Sequence, residues 1–340
     1  MKHIGHKALC FAALLWILLT VTVGLQSWVG DQTIYATELE ARREALHHAI
    51  LVNQAPNGRS WAAAGASSVQ KRIGVIYLAE AVRKLSGMSI GATYKLLDSA
   101  FLFLALVALF FYLRKWLPDQ YCLVGVLYFC AALPLTYFFQ LFHPWDRPQL
   151  LIWILLLHLI AERKFILLSI GLVVSVLVKF DTILLPALYF VVHFRNGAWR
   201  RASCETLFLF LLAFVTNAVL SYLFQDPQEV SRYSWSAMYA MITSNAQKAL
   251  QMHVRYPPLL MHALPACLAL VGLRHKPPYV AASAIFGLVL SGVFLLLTNY
   301  EEVRAHIVVL VLFTPSALLT VRNLLEHDQA RPMVNNMGRA

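Results

Sequence analysis

The sequence predicts an all-α protein, a polytopic membrane bundle of about ten transmembrane helices. Hydrophobic residues make up 59% of its 340 residues and charged residues only 13%, whereas soluble globular domains have about 45–50% apolar and about 25% charged residues. The apolar residues form near-continuous runs separated by short charged links. Such runs predict helices that face lipid, so the composition excludes an ordinary soluble protein.

Ten apolar runs are candidates for membrane-spanning helices. A spanning helix needs about 20 residues at 1.5 Å per residue, and the fourth, fifth and sixth runs have only about 12–14. Their junctions are therefore expected within or near the membrane, as in re-entrant helices. The runs are 8–26, 97–113, 121–142, 149–161, 165–178, 182–194, 205–224, 257–273, 279–298 and 304–321.

The first run follows Lys2 and Lys7, a pattern shared by secretory signals and uncleaved membrane anchors. Its apolar core is long for a signal, and no A-x-A cleavage motif precedes Gln26 or Asp31. An uncleaved anchor is therefore the preferred interpretation. Residues 1–321 are then expected to form a single transmembrane domain, followed by a polar cytoplasmic tail at 322–340.

Lysine and arginine are distributed unevenly between the two predicted sides. With the N-terminus in the cytoplasm, 14 of the 28 basic residues fall on the cytoplasmic side and six in short links on the other side. The remaining eight belong to the loop 27–96, and loops of that length constrain orientation weakly. The bias predicts a cell-membrane protein, as in a bacterial inner membrane, with both termini cytoplasmic and this loop extracytoplasmic.

The net charge of +11 does not indicate nucleic-acid binding. A nucleic-acid domain gathers its Lys and Arg on one polar face, whereas here they occur in twos and threes between apolar runs. The five cysteines are odd in number and show no C-x-x-C spacing. Neither a disulfide framework nor a zinc site is therefore expected.

Two segments of the extracytoplasmic loop, 38–52 and 69–85, have an amphipathic helical pattern. In the first, Leu39, Leu46 and Ile50 share one face. The second carries four basic residues, whose charge suits anionic lipid headgroups or a lipid phosphate. These segments, and a further amphipathic stretch at 233–250, are expected on the outer membrane surface, in contact with membrane lipids.

The unusual polar residues cluster on the predicted extracytoplasmic side, beginning with Lys179 and Asp181 between two short runs. A charge at membrane depth costs about 2.5–3.5 kcal/mol, so such residues usually pair, line a wet cavity or do chemistry. One interpretation is a structural ion pair that lets the chain turn back. The other is a substrate-binding site.

A second polar group, His143-Pro144-Trp145-Asp146-Arg147-Pro148, closes one run and opens the next. Its prolines break helix continuity, and a tryptophan suits the membrane interface. Asp146 and Arg147 either belong to an ordinary interfacial loop or orient a sugar hydroxyl or a phosphate, together with His143.

The last run begins with Glu301-Glu302-Val303-Arg304. The helix dipole alone favours acids at this position, whereas Arg304, one turn inside the boundary, is well placed to hold a lipid diphosphate. Glu302 and His306 lie one turn apart, a spacing that permits a divalent-metal pair but does not define a metal site. No other cofactor is predicted.

Asp31 directly follows the first run and is a candidate general base. An acceptor hydroxyl needs a carboxylate within hydrogen-bond reach to take its proton. The alternative is a solvated acid flanking a span.

Read in order, four short motifs make the sequence resemble the C-type glycosyltransferase superfamily, membrane enzymes that take sugars from polyprenyl-phosphate carriers on the extracytoplasmic side. It is similar in particular to uncharacterised bacterial membrane proteins of that architecture. The motifs are Pro56-Asn57-Gly58-Arg59, Phe142-His143-Pro144-Trp145-Asp146, Lys179-Phe180-Asp181-Thr182 and Asn299-Tyr300-Glu301-Glu302-Val303-Arg304.

The resemblance implies Asp31 as the base, and Arg59, Lys179 or Arg304 as the cations that hold the lipid phosphate. The implied partner is a lipid-linked sugar donor used in cell-envelope glycan synthesis, and Asp146 is the second catalytic candidate. Many members carry two adjacent acids in the first loop, whereas here Asp31 is followed by glutamine.

Three alternatives stay open. A polymerase or ligase of lipid-linked polysaccharide would need a more basic late loop than 225–256 provides. A transporter would predict related halves and polar residues spread through the spans, and no repeat is visible. A non-catalytic scaffold fits the missing second acid.

Overall fold

The computed structural model describes residues 6–30, 38–52, 71–133, 143–194, 199–224, 239–240, 242–245, 247, 257–297 and 303–336. Throughout these ranges the regular structure is helical and contains no β-strand. The predicted all-α class is confirmed for this part of the chain.

A described helix covers at least part of every predicted apolar run. A 3₁₀ turn, Phe180–Leu184, joins α7 to α8. In chain order the helices are α1 (His6–Gly30), α2 (Glu38–Leu51), α3 (Ile73–Ser86), α4 (Ile90–Leu113), α5 (Asp119–Ala132), α6 (Asp146–Ala161), α7 (Phe165–Val178), α8 (Leu185–Phe194), α9 (Trp199–Leu223), α10 (Pro257–Leu270), α11 (Pro278–Leu297) and α12 (Val303–Asn336).

Among the described helices, four are long and apolar enough to cross a membrane. Large apolar side chains are exposed along α1 and α9, as lipid-facing helices require. These helices indicate a membrane protein, but the others are shorter, so a count of about ten spans is not confirmed. The four are Ala12–Val29, Ile90–Leu113, Trp199–Leu223 and His306–Glu326.

Side-chain contacts define two ends of the helical bundle. At one end, the Asp146 end, Arg147 at the start of α6 donates to Gln26 near the end of α1 over 3.1 Å. At the other, the Glu162 end, Lys115 after α4 pairs with Glu162 after α6 at 2.6 Å. The helices therefore run back and forth between these two ends.

Buried tyrosines tie three helices together inside the bundle. The hydroxyls of Tyr112 on α4 and Tyr279 on α11 lie 3.3 Å apart, and Tyr279 donates to the carbonyl oxygen of Leu157 on α6 over 2.8 Å. A buried hydroxyl without a partner would destabilise the fold. Here each hydroxyl is satisfied by a neighbouring helix.

The two amphipathic segments are helices, as predicted, and α2 and α3 pack together on the Asp146 end. This α2–α3 cap has its own apolar cluster, which includes Ile50 on α2, Ile76 on α3 and Tyr94 on α4. Trp145 before α6 and Val178 at the end of α7 belong to the same cluster. The buried face of the cap therefore packs on protein, directly over the ends of α6 and α7.

The cap helix α3 passes very close to α7 at Gly74. A Cβ atom there would lie 3.2 Å from the carbonyl oxygen of Leu177, which is tighter than an ordinary contact. Because the neighbouring atom belongs to the backbone, it cannot rotate away. A glycine is what allows this approach.

The last helix does not end at the predicted start of the polar tail. Helix α12 continues through residue 322 to Asn336. Residues 307–320 are buried throughout, so its first half is the most enclosed part of the bundle. The predicted tail is thus a helical continuation as far as residue 336.

Candidate functional site

The chain between α7 and α8 is interrupted at Lys179, as the two short apolar runs predict. Lys179 has an extended backbone with φ −167° and ψ 134°, which ends α7 at Val178. The 3₁₀ turn Phe180–Leu184 follows and leads into α8. The hydroxyl of Ser175 donates to Thr182 over 2.7 Å and braces this break from inside.

Asp181 lies at the centre of a polar network beside the break. Its Oδ2 pairs with Nζ of Lys179 at 3.1 Å, and its Oδ1 accepts from Nε1 of Trp153 over 3.2 Å. The side-chain amide of Gln149 donates to the same Oδ1. The side chains of Lys179 and Asp181 are only 21% and 13% exposed, so solvent screens this pair weakly.

One face of α6 supplies most of this network. Trp145, Gln149 and Trp153 follow one another at intervals of four residues, which places them on one side of the helix. Gln149 and Trp153 reach Asp181, and Trp145 packs with Val178 at the end of α7. This face, the α6 stripe, is therefore turned toward the break.

One aromatic ring and one cation cover Trp145. The ring of His143 stacks on it with centroids 4.6 Å apart, and the guanidinium of Arg72 lies 4.6 Å from its ring centroid. Trp145 is fully buried by these and by the α2–α3 cap. A cation over an indole ring is a stabilising contact when it is shielded from water.

Asp146 and Arg147 make separate contacts, although they are neighbours in the sequence. Asp146 Oδ2 accepts from the backbone N–H of His143 over 3.0 Å and closes the turn before α6. Arg147, only 3% exposed, donates to Gln26, whose amide reaches the carbonyl oxygen of Cys130 at 3.4 Å. Arg147 thus ties α1 to α6.

A pair of histidines brings α10 and α12 to the same end. Nε2 of His262 donates to the carbonyl oxygen of His306 over 3.2 Å, and the two rings lie 5.9 Å apart. The charge of Lys179 acts on His306, and no hydrogen-bond partner reaches the buried Nε2 of His306. The α7–α8 break therefore faces α12 as well as α6.

The α2–α3 cap is held by a buried histidine. His47 on α2 hydrogen-bonds the hydroxyl of Tyr94 at 2.8 Å through Nδ1 and Glu80 on α3 at 3.3 Å through Nε2. The Arg83 hydrogen bonds hold the pKa of Glu80 at about 2. Burial lowers the pKa of His47. Arg83 and Lys84, two of the four basic residues predicted to suit lipid headgroups, pair with Glu80 within the cap.

The side chains of the remaining predicted site residues lie outside the described part of the structure. Asp31, Arg59 and Glu302 lie outside the described residues. Arg304 is on α12, but its side chain is not described. Whether these residues converge with Asp146 therefore stays a prediction. Within the described ranges, no group of three His, Cys, Asp or Glu side chains is arranged to hold a metal ion.

Polar contacts also occur at the Glu162 end, where the sequence predicted no comparable cluster. Lys276, between α10 and α11, donates to Ser316 and Thr320 on α12 over 2.9 and 2.8 Å. It also reaches the carbonyl oxygen of Ala269 at 3.0 Å, near the end of α10. A cation is favoured at a helix C-terminus, so this group has a clear structural role.

Three contributors to the Asp146 end escaped sequence analysis: Gln26, Gln149 and Trp153. Each lies inside an apolar run, where a single amide or indole changes the pattern little. The available signal was the four-residue spacing of the α6 stripe. Comparisons with protein-family models, with curated proteins and with solved structures found no match for this chain.

Proposed function

We propose that this chain is an integral membrane glycosyltransferase-like enzyme that transfers a sugar from a polyprenyl-phosphate donor at the Asp146 end. The observation that supports the proposal is the α7–α8 break, where α6 holds Lys179 and Asp181 within an otherwise apolar bundle. Charges at membrane depth are costly and usually mark substrate sites. A lysine can bind the donor phosphate, and nearby carboxylate and amide groups can bind sugar hydroxyls.

The orientation belongs to the same proposal. The Asp146 end is extracytoplasmic, and both termini are cytoplasmic, because basic residues are more frequent in the short links of the Glu162 end. Alkaline phosphatase fused after Gly65 should then be active and fused after Trp199 inactive. The opposite pattern of activities would refute this placement.

Asp31 is the proposed general base. It is the next residue after α1, whose last turns carry the Gln26 that binds Arg147 at the Asp146 end. Deprotonating an acceptor hydroxyl needs a carboxylate there. The departing lipid phosphate needs fixed positive charge, which Lys179, Arg59 and Arg304 are proposed to supply.

The decisive experiment is sugar transfer by purified protein from a polyprenyl-phosphate sugar. General-base catalysis is worth about 10²–10⁴-fold, so Asp31→Asn should lower the transfer rate by roughly that factor with normal membrane insertion. Asp119→Asn is the matched control, because Asp119 pairs with Arg114 at the exposed Glu162 end. Full activity in Asp31→Asn would exclude this residue as the base and favour Asp146.

Donor binding can be tested on a single helix. Arg304 begins α12 at the Asp146 end, whereas Arg322 lies further along it and pairs with Glu326. Arg304→Ala should weaken binding of the lipid phosphate, because a cation that pairs with it is lost. Arg322→Ala should leave binding unchanged. Equal binding by the two variants would remove Arg304 from the donor site.

A further inference from the structure

Two buried polar atoms on the α6 stripe have no hydrogen-bond partner. They are the indole Nε1 of Trp145 and the amide oxygen Oε1 of Gln149. The two side chains are 0% and 2% exposed, and they lie one helical turn apart on the same face of α6. A buried donor and a buried acceptor left unpaired are destabilising, so such atoms call for an explanation.

The contacts of Gln149 fix which of its atoms is the unpaired one. Its other amide atom donates to the carboxylate of Asp181. A carboxylate only accepts, so the atom facing Asp181 is the nitrogen, and the oxygen is directed elsewhere. Gln149 therefore offers an acceptor while it stays attached to the α7–α8 break.

Trp145 offers the complementary group. Its ring is covered by His143 and by the guanidinium of Arg72, and its buried N–H is the polar group left without a partner. Indole nitrogen is a donor only. The α6 stripe thus carries one fixed donor, on Trp145, and one fixed acceptor, on Gln149, which also contacts Asp181.

The chemistry of this pair selects among ligand groups. An oxygen of an ionised phosphate would accept from the indole but has no proton to donate to Gln149. An ammonium would donate to Gln149 but cannot accept from the indole. A hydroxyl both donates and accepts, and adjacent hydroxyls on one ring can serve both atoms.

We infer that Trp145 and Gln149 form a subsite for the hydroxyl groups of the donor's sugar ring, separate from the cations that bind its phosphate. This inference rests on the function proposed above. The α2–α3 cap and Arg72 lie over Trp145, so the cap encloses the sugar on this side. Trp153, which donates to Asp181, holds the carboxylate in position.

The test separates binding of the sugar from binding of the lipid phosphate. Polyprenyl phosphate and a polyprenyl-phosphate hexose are titrated separately into the purified full-length protein in micelles. Trp145→Phe keeps a six-membered aromatic ring but removes the N–H, so it should weaken binding of the hexose-bearing lipid by about three- to tenfold. Binding of polyprenyl phosphate should not change. Gln149→Met, which removes the acceptor together with the amide that donates to Asp181, should act in the same direction.

Stability is measured alongside binding, because Trp145→Phe removes side-chain volume from a fully buried position. The thermal stability of the ligand-free protein should therefore fall, as in other large-to-small core substitutions, whereas only binding of the hexose-bearing lipid should weaken. Trp116→Phe is the matched control, because Trp116 stacks on Tyr279 at the Glu162 end with ring centroids 5.0 Å apart. It should bind both probes as the wild type does.

The outcomes distinguish failure of the hydroxyl subsite from failure of the proposed function. If the wild type binds both lipids and Trp145→Phe weakens both equally, or neither, the hydroxyl subsite is wrong while the function stands. If the hexose adds nothing to wild-type binding, the subsite is also wrong. If the wild type binds neither lipid, the proposed function fails and the subsite fails with it.

Discussion

Replacing Asp181 with alanine should destabilise the bundle far more than the same replacement at Asp119. Both aspartates pair with a basic side chain, at 3.1 Å for Lys179 and 2.8 Å for Arg114. The pair at the break is 21% and 13% exposed, whereas the pair of Asp119 is 50% and 45% exposed. The contrast therefore isolates the effect of burial on one kind of interaction.

The magnitude follows from the contacts that are lost. Breaking a buried ion pair by removing one partner costs about 3–5 kcal/mol, and Asp181 also accepts hydrogen bonds from Gln149 and Trp153. Because the side chains are partly exposed, we expect about 2–4 kcal/mol for Asp181→Ala, discounted for solvent screening. An exposed pair is worth about 0–1 kcal/mol, which is the expected loss for Asp119→Ala.

Unfolding in mixed micelles, followed by tryptophan fluorescence, measures both losses on the same scale. A further change, Lys179→Met in the Asp181→Ala background, should recover part of the stability, because the unpaired ammonium is the main source of the penalty. Equal losses for the two aspartates would refute the buried network at the break. So would a double variant less stable than Asp181→Ala alone.

Two further predictions concern the α2–α3 cap. Gly74→Val should destabilise the fold by about 1–3 kcal/mol through overpacking against Leu177, whereas Gly24→Val, with open space around it, should change stability little in the same assay. Because burial lowers the pKa of His47 below 6.5, the unfolded cap takes up a proton that the folded cap does not, and stability falls as pH drops below that value. Protease resistance of α2 should therefore decrease as the pH is lowered from about 7.5 to about 5.5. The decrease should be less steep in His47→Asn and as steep as in the wild type in His48→Asn, whose side chain is exposed. A decrease as steep in His47→Asn as in the wild type would exclude this histidine as the cause.

The local features of the fold were predictable because they depend on residues close together in the chain. Apolar runs determine where helices form, and the two short runs around Lys179 predicted the interruption that separates α7 from α8. The amphipathic period of 38–52 likewise predicted α2. Its packing was not predictable, because the same apolar face suits lipid or protein.

The composition of the polar network depended on contacts between distant residues. Gln149 is 32 positions from Asp181, and Gln26 is 121 positions from Arg147. Hydrophobic periodicity reports only which face of a helix is apolar, and it carries no information on which helix packs against that face. The sequence alone therefore determined a helical membrane protein with charges at a helix break. Only tertiary packing, which buries one face of α6 against that break, decided that Gln149 and Trp153 also donate to the Asp181 that pairs with Lys179.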